Sequence, residues 1–558
     1  MKSVANIIAE ELKENKIDDL FMLTGYGAMY LNDAIEKAKI NFYAARNEAA
    51  APMMASAYAK NNNKIGAVCV TAGPGATNAL PGLAEAYVDS SPIIILSGQV
   101  EKKYSSDNYN KINLRTLGIA EFSITKILKN ITKYCKTIRN PYDCLYEVQK
   151  ALYLCRSGRP GPVWLEIPLD VQSYIIKNPK KLKKFKIPKP EPKFNTLNTE
   201  FIIKELKNSK RPIFIIGNGI KQSQTQNEFL ELAKKLSIPF FNSRFINDIC
   251  SHELKNNLGL IGIKGVLYAK KIMKKSDLII SLGCRLSPSL TGGDPENFSK
   301  QKSIISINND VNELKNPLIK FKKKINSGLK PFFDSLVKFK KKLNFNKKSW
   351  LNECNKIKQD DEIPNIYSKT KPIDMYRFLY DLCEYSNSKT ILITDAGSNY
   401  YIGGQVWKFK KKQTEISSAT NAAMGLSLPL SIGAAISSKN QVFSVTGDGS
   451  IELNIQELKT ISHYRLNIKT FVINNGGYVS MQRWQDEYFE NNRLDTSLKT
   501  GVGTLNFRNI AKAFNLSFLK IKSISEIKNT IMKIQKDKRP YLIEVMTDPN
   551  QKIYGQES

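Results

Sequence analysis

Short runs of consecutive apolar residues alternate along this chain with longer stretches in which apolar positions recur every three or four residues. The runs at 20–24, 65–71, 92–96 and 162–167 read as buried strands, with a shorter one at 42–45. A second series lies at 212–216, 239–241, 278–282 and 303–307. A third lies at 390–394, 441–446, 468–473 and 541–545. Between them the pattern predicts helices, among them 3–15 and 453–461, and one over 49–60 that is apolar nearly all round and therefore buried. Strands alternating with helices imply parallel sheets with right-handed crossovers. The expectation is an α/β chain of three doubly wound parallel-sheet domains, at 1–172, 197–335 and 371–550. A Pro/Lys-rich linker (176–195) and a lysine-rich helical linker (336–370) separate them.

The length, 558 residues, agrees with roughly three or four domains. No apolar run of about 18 residues suggests a membrane span. The N-terminal stretch reads as an amphipathic helix rather than a signal peptide. Eight cysteines without C-x-x-C spacing suggest reduced thiols and a cytoplasmic protein. The net charge of +33 changes the picture less than its size suggests. Lysines concentrate in surface-like runs such as 321–324 and 408–412, and no nucleic-acid-binding pattern accompanies them. Neither nucleic acid nor membrane is expected as a partner; the field favours small anionic substrates.

Candidate chemistry begins at Val-Thr-Gly-Asp-Gly-Ser, 445–450, where the strand 441–446 breaks into a glycine turn. The strand 468–473 then ends in Asn-Asn at 474–475. Asp448 and Asn475 are hard oxygen donors suited to Mg²⁺ or Ca²⁺. Gly447 and Gly449 would let backbone N–H groups approach a phosphate. A Gly-Asp-Gly turn beside an Asn-rich turn also occurs without any ligand. Glu48 is the second anchor: a carboxylate after a strand, leading into the apolar 49–55 segment, where desolvation is expected. His252 and His463, the chain's two histidines, read as structural.

These residues, together with Thr-Ala-Gly-Pro-Gly-Ala-Thr-Asn at 71–78, Gly-Arg-Pro-Gly-Pro-Val-Trp at 158–164, Ser-Leu-Gly-Cys-Arg at 281–285 and Met-Gly-Leu-Ser-Leu-Pro at 424–429, resemble one family along nearly the whole chain. It is the thiamine diphosphate (ThDP) enzymes, and within them the acetolactate (acetohydroxyacid) synthase large subunits. The resemblance implies a pyrimidine-binding, a central and a diphosphate-binding domain. It implies a homodimer or homotetramer, because ThDP lies between the first domain of one subunit and the third of another. Glu48 then matches the glutamate that contacts the aminopyrimidine and promotes the reactive ylide. Asp448, Asn475 and the Gly477 carbonyl match the Mg²⁺ ligands. Gly447, Gly449 and Ser450 match diphosphate contacts, with Gly25 and Asn78 on the pyrimidine side. Met424 matches the apolar prop beneath the bent cofactor, and Gly27 the loop facing the reacting carbon. Lys133 resembles a lysine near the synthase substrate channel, and Trp484 the tryptophan lining the acceptor pocket. Gly217, Gly262 and Arg285 match positions that hold FAD, a non-redox cofactor in these synthases.

The implied reaction decarboxylates pyruvate and joins the two-carbon unit to a second 2-oxo acid, with a small regulatory subunit as a further partner. Departures fall on the acceptor side. Asn47 and Ala49 replace the usual residues flanking Glu48, Ile119-Ala120 replaces Phe-Gln in the substrate loop, and Ser480 replaces methionine. Segments 25–32 and 112–118 look more like homologues associated with surface polysaccharides. A carboligase or decarboxylase using another acceptor, such as a keto-sugar nucleotide, therefore stands beside the synthase. A non-catalytic ThDP- or flavin-binding or regulatory module is the alternative of another class.

Overall fold

The computed structural model describes every residue except 110, 111, 113, 190–193, 301, 361–365, 504 and 556–558. Part of the expected Pro/Lys-rich linker and one residue of the 112–118 segment lie outside the described residues.

Three six-stranded sheets, each wholly parallel, carry the fold. In the first, the strands in spatial order are Asn41–Ala44, Asp19–Met22, Gly66–Val70, Ile93–Gln99, Val163–Pro168 and Tyr134–Thr137. Numbered by sequence within the sheet, that order is 2-1-3-4-6-5. The third sheet repeats it: Thr414–Ile416, Ile391–Thr394, Val442–Gly447, Ile468–Asn474, Tyr541–Met546 and Ser517–Ile521. The middle sheet differs, running Asn257–Leu260, Phe240–Asn242, Pro212–Ile216, Leu278–Leu282, Ser303–Asn308 and Lys323–Asn326, or 3-2-1-4-5-6. That is the order of dinucleotide-binding sheets, and in all such open sheets ligands settle where the order reverses, beyond the carboxyl ends of the strands.

Helices cover both faces, which is why the central strands are apolar runs without alternation. Along Ile93–Gln99, Ile93 and Ile95 enter one core and Ile94 and Leu96 the other. The apolar helix Ala50–Asn62 is buried from Ala50 through Ala59. Its partner is the helix Ser427–Ser438 of the third sheet's unit, and one apolar core spans both. The helices approach closely at Gly433, where a Cβ would lie 2.0 Å from the Met54 carbonyl oxygen. The expected single helix over 453–461 is instead a 3₁₀ turn, Ile451–Asn454, followed by Glu457–His463. The Asn454 amide donates to the Gly425 carbonyl (2.9 Å), anchoring that tight turn. The lysine-rich stretch after 336 contains the helix Lys348–Gln359, whose Trp350 and Cys354 enter the core of the middle unit. Among the described residues no helix is long and apolar enough to cross a membrane.

Candidate active site

The carboxyl ends of the third sheet's strands build the most constrained cluster. Val442–Gly447 delivers Asp448, whose Oδ1 accepts from the Gly449 N–H (3.0 Å). Its Oδ2 accepts from the N–H groups of Gly476 (2.9 Å) and Gly477 (3.0 Å), just past the strand Ile468–Asn474. Those two residues have φ of 87° and 108°, which glycine adopts without strain. Asp448 is 9% exposed, and burial raises its carboxyl above the usual range against the pull of these backbone donors. The Asn475 side chain makes no hydrogen bond within the described chain, and the Gly477 carbonyl accepts from Val479 N–H (2.9 Å), retaining a lone pair. Gly449 has no room for a side chain: a Cβ would lie 2.4 Å from the Tyr478 ring.

Sequence reasoning missed Asp395, which follows the neighbouring strand Ile391–Thr394 and is fully buried. Its Oδ2 accepts from Thr446 Oγ1 (2.7 Å) and Ser450 Oγ (2.6 Å), and its Oδ1 from Ala396 N–H (2.7 Å) and the Asn399 amide (3.1 Å). Burial raises this carboxyl too. The available signal was an acid directly after an apolar strand, in Asp-Ala-Gly at 395–397. Ser450 is thereby engaged: it donates to Asp395 and accepts from Gly425 N–H (2.9 Å). Gly425, at φ 79°, holds the preceding Met424 partly exposed beside this turn.

The first sheet answers with a different group around the turn at 71–78. Thr71 Oγ1 accepts from Gly27 N–H (3.0 Å). A Cβ on Gly25 would lie 2.6 Å from the Thr71 side chain, and one on Gly27 would lie 2.8 Å from Ala72. The Ala120 carbonyl presses on Gly73, 2.0 Å from where a Cβ would stand. Glu48 sits between the strand Asn41–Ala44 and the helix Ala50–Asn62, and its Oε2 accepts from the Asn78 amide (3.2 Å). The expected desolvated carboxylate is half-buried instead, with a polar partner. Gly25, Gly27, Glu48, Asn78 and Ala120 thus gather beyond the carboxyl ends of the first sheet's strands. Lys133 is not among them: its amine is spent on the Ser157 carbonyl and burial lowers its pKa. No hydrogen bond or ion pair among the described residues joins Glu48 to Asp448. The two units meet instead behind Glu48, where Arg46 N–H donates to Glu457 (2.8 Å) and Ala44 N–H to Tyr464 (2.9 Å).

A cavity of about 1420 Å³ opens at the switch point of the middle sheet, between its first and fourth strands. Gly217, Gly262 and Arg285 line it, with Arg159 from the first unit and Trp484 from the third. Gly217 is pressed against the Gly283 carbonyl (2.4 Å to a hypothetical Cβ), and Gly262, at φ 125°, against that of Ser289 (2.5 Å). Arg159 pairs with Asp310 (3.0 Å) and Glu313 (2.6 Å). Trp484 stacks on Tyr488 (5.5 Å) along the helix Val479–Tyr488, which starts just beyond Gly477 and so connects the Asp448 turn to the cavity. Among the described residues no cluster of three His, Cys, Asp or Glu side chains is placed to hold a metal. The donors at Asp448 are one carboxylate, one amide and one backbone carbonyl.

Comparison with known proteins assigns each sheet. Residues 2–119 match the N-terminal TPP binding domain of thiamine pyrophosphate enzymes, 199–325 the central domain, and 395–545 the C-terminal TPP binding domain. The chain belongs to the thiamine pyrophosphate enzyme family. Its relatives in that family include the acetolactate synthase large subunit of Lactococcus lactis subsp. lactis, 29% identical over 558 residues, or 99% of this chain and 93% of that protein. The chloroplastic acetolactate synthase 1 of Zea mays is 28% identical, covering 97% and 85%. The probable acetolactate synthase large subunit of Methanocaldococcus jannaschii is 28% identical, covering 98% and 92%. The two TPP binding domains fall on the two sheets that share the 2-1-3-4-6-5 order, and the central domain on the sheet with the dinucleotide order.

Proposed function

We propose that this enzyme is an acetolactate synthase-like carboligase, which decarboxylates pyruvate and joins the two-carbon unit to a second 2-oxo acid. The observation that carries this reading is similarity to acetolactate synthases across nearly the full chain, all three domains included. Bound thiamine diphosphate supplies a carbon nucleophile and an electron sink for decarboxylation, chemistry the side chains lack. The chain's own residues bind and orient. Asp448, Asn475 and the Gly477 carbonyl would hold Mg²⁺; the unbonded Asn475 amide and the spare lone pair on Asp448 Oδ1 fit a hard cation. Gly449, whose side-chain space Tyr478 fills, keeps the turn packed close against that residue, and Met424 would support the ring system. With the Ser450 hydroxyl engaged by Asp395, its backbone is the part left to meet a phosphate. Glu48 would hold and move a proton at its carboxylate on the aminopyrimidine side, oriented by Asn78. The Gly27 N–H is occupied by Thr71, which stiffens the loop facing the reacting carbon.

Among the described residues no hydrogen bond or ion pair joins Glu48 to Asp448, and it is the resemblance of the two outer units to the family's TPP binding domains that supports a site completed by a second copy. The glycine-lined cavity of the middle unit supports FAD as its occupant, with Gly217, Gly262 and Arg285 against it. The deciding experiment incubates purified protein with pyruvate, ThDP, Mg²⁺ and FAD, and measures acetolactate as acetoin after acid treatment. Acetolactate formation is expected. Release of CO₂ without acetolactate, restored to ligation only by a sugar-derived ketone, would replace this reading with a carboligase of another acceptor.

A further inference from the structure

Two hydroxyls end on the buried Asp395 carboxylate beside the Gly-Asp-Gly turn, and they tie it to different things. Thr446, the first, lies in the strand Val442–Gly447, which the backbone already pairs with Ile391–Thr394. Its bond reinforces the sheet. Ser450, the second, lies in the turn beyond that strand, and its bond leads onward. The Ser450 oxygen that donates to Asp395 also accepts from Gly425 N–H (2.9 Å), and the Gly425 carbonyl accepts from the Asn454 amide (2.9 Å). A Cβ on Gly425 would lie 2.7 Å from that of Leu453. Both polar groups of Gly425 and its bare α-carbon are therefore bound by residues 450–454. The residue carried immediately before it is Met424, 36% exposed.

Asp395, Ser450 and Gly425 thus form one relay. It joins the loop after one strand, the turn after the next and the loop before the helix Ser427–Ser438. We infer that Asp395 is a positioning residue for the cofactor: through Ser450 it fixes the spacing between the turn that would hold the diphosphate and Met424, which would support the ring system. The inference rests on the reading of that turn and Met424 as parts of a thiamine diphosphate site. A flexible molecule held at both ends binds more tightly when the two contacts are preset at the matching spacing. The relay presets them from beneath. Asp395 is fully buried, and the Ser450 hydroxyl is engaged on both sides. Without Ser450 Oγ the Gly425 N–H loses its acceptor, and without Asp395 the Ser450 hydroxyl is free to turn away.

The test is calorimetric titration of the full chain, in Mg²⁺, with two probes. Thiamine diphosphate meets both the turn and Met424; inorganic pyrophosphate meets the turn alone. Ser450→Ala should weaken thiamine diphosphate binding by about tenfold or more, and pyrophosphate binding by less than about threefold. Asp395→Asn should weaken thiamine diphosphate binding by a similar factor, and the double variant by no more than either single one, because the two side chains act in series. Thr446→Val takes away the other hydroxyl on Asp395. It should lower the thermal unfolding midpoint at least as far as Ser450→Ala does, yet leave thiamine diphosphate affinity within about threefold. Should Asp395→Asn fail to fold, the Ser450 and Thr446 variants decide. Equal weakening of both probes by Ser450→Ala, additive losses in the double variant, or equal affinity losses in the Ser450 and Thr446 variants would each overturn the inference. So would undiminished affinity in Asp395→Asn, the result expected if the Ser450 hydroxyl bonds the phosphate directly. In those cases wild-type binding leaves the cofactor site standing; a wild-type chain that binds neither probe would overturn the site and the inference together.

Discussion

The two outer sheets have one topology and two chemistries. Both run 2-1-3-4-6-5, so both place the loops after their first and third strands beside the same reversal point. In the third sheet those positions hold Asp395 and Asp448, two deeply buried carboxylates bound by hydroxyl, amide and backbone donors. In the first sheet they hold Gly25–Gly27 and the turn at 71–78, where glycine packing leaves backbone exposed, and the carboxylate is Glu48, from the loop after the second strand. The third sheet is built to fix charge in place, the first to leave a half-buried acid able to exchange a proton. A shared fold supplies two equivalent ledges; the residues set on them decide what each does.

That division makes unequal demands on the two acids. Glu48→Gln should leave ThDP affinity within a few-fold and reduce turnover on the order of 10²–10⁴-fold, the usual scale for a removed acid–base group. Steady-state kinetics and cofactor titration together check it, and wild-type turnover would break the assignment of proton chemistry to the first sheet. Asp448→Asn should do the reverse. It should weaken Mg²⁺-dependent ThDP binding by at least about 100-fold, since even residues supporting a metal's ligands act on the 10–100-fold scale. Turnover at saturating cofactor should recover more than in the Glu48 variant. An equal turnover defect with unchanged affinity would erase the contrast between the sheets.

A finer contrast lies within the Gly-Asp-Gly turn. Gly449→Ala must displace the Tyr478 ring, an overpacking cost of about 1–3 kcal/mol. We expect it to fall on ThDP affinity, roughly tenfold by titration. Gly447→Ala meets nothing closer than 3.7 Å and has ordinary backbone angles, so it should be silent. Equal effects would mean that the first glycine, and not Tyr478 packing, shapes the phosphate approach.

This turn was legible in the sequence because its constraints are local: an acid between two glycines, one of them (Gly449) where a side chain would collide, and an apolar strand in front. The central strands were legible for a related reason, being buried on both faces, as at Ile93–Gln99 and Val442–Gly447. Among the edge strands of the three sheets, only Asn41–Ala44, read at 42–45, was. Tyr134–Thr137, Asn257–Leu260, Lys323–Asn326, Thr414–Ile416 and Ser517–Ile521 are absent from the apolar pattern, and each lies at a sheet edge, where polar and lysine side chains discourage further pairing. Asp395 was missed because its partners Thr446 and Ser450 lie on a different strand and turn, brought close only by the fold. The Lys133 expectation rested on resemblance alone, and the structure gives its amine to Ser157.

The comparison reaches into the cores as well. The sixth strand of each outer sheet carries a glutamate at its fourth residue: Glu166 in Val163–Pro168 and Glu544 in Tyr541–Met546. Their partners differ. Glu166 accepts only from neutral groups, Gln99 (2.9 Å) and Thr137 (2.7 Å), and burial pushes its carboxyl up to about 7. Glu544 accepts from Asn474 (2.8 Å) and pairs with Lys520 (2.9 Å). Because Glu166 binds its proton more tightly in the folded protein (about 7) than a glutamate ordinarily does (4.5), its contribution to stability is full below pH 4.5. It is lost as pH rises through 7. Glu166→Gln removes that loss, so the variant should lose less stability than wild type between pH 5.5 and 8.5, by about 2 kcal/mol in urea unfolding. Glu544→Gln should instead cost about 0.5–1 kcal/mol by depriving the partly exposed Lys520 of its partner. If Glu166→Gln is as destabilising at pH 8.5 as Glu544→Gln, then Gln99 and Thr137 stabilise the ionised carboxylate, and the two strands are alike in energetics as well as in position.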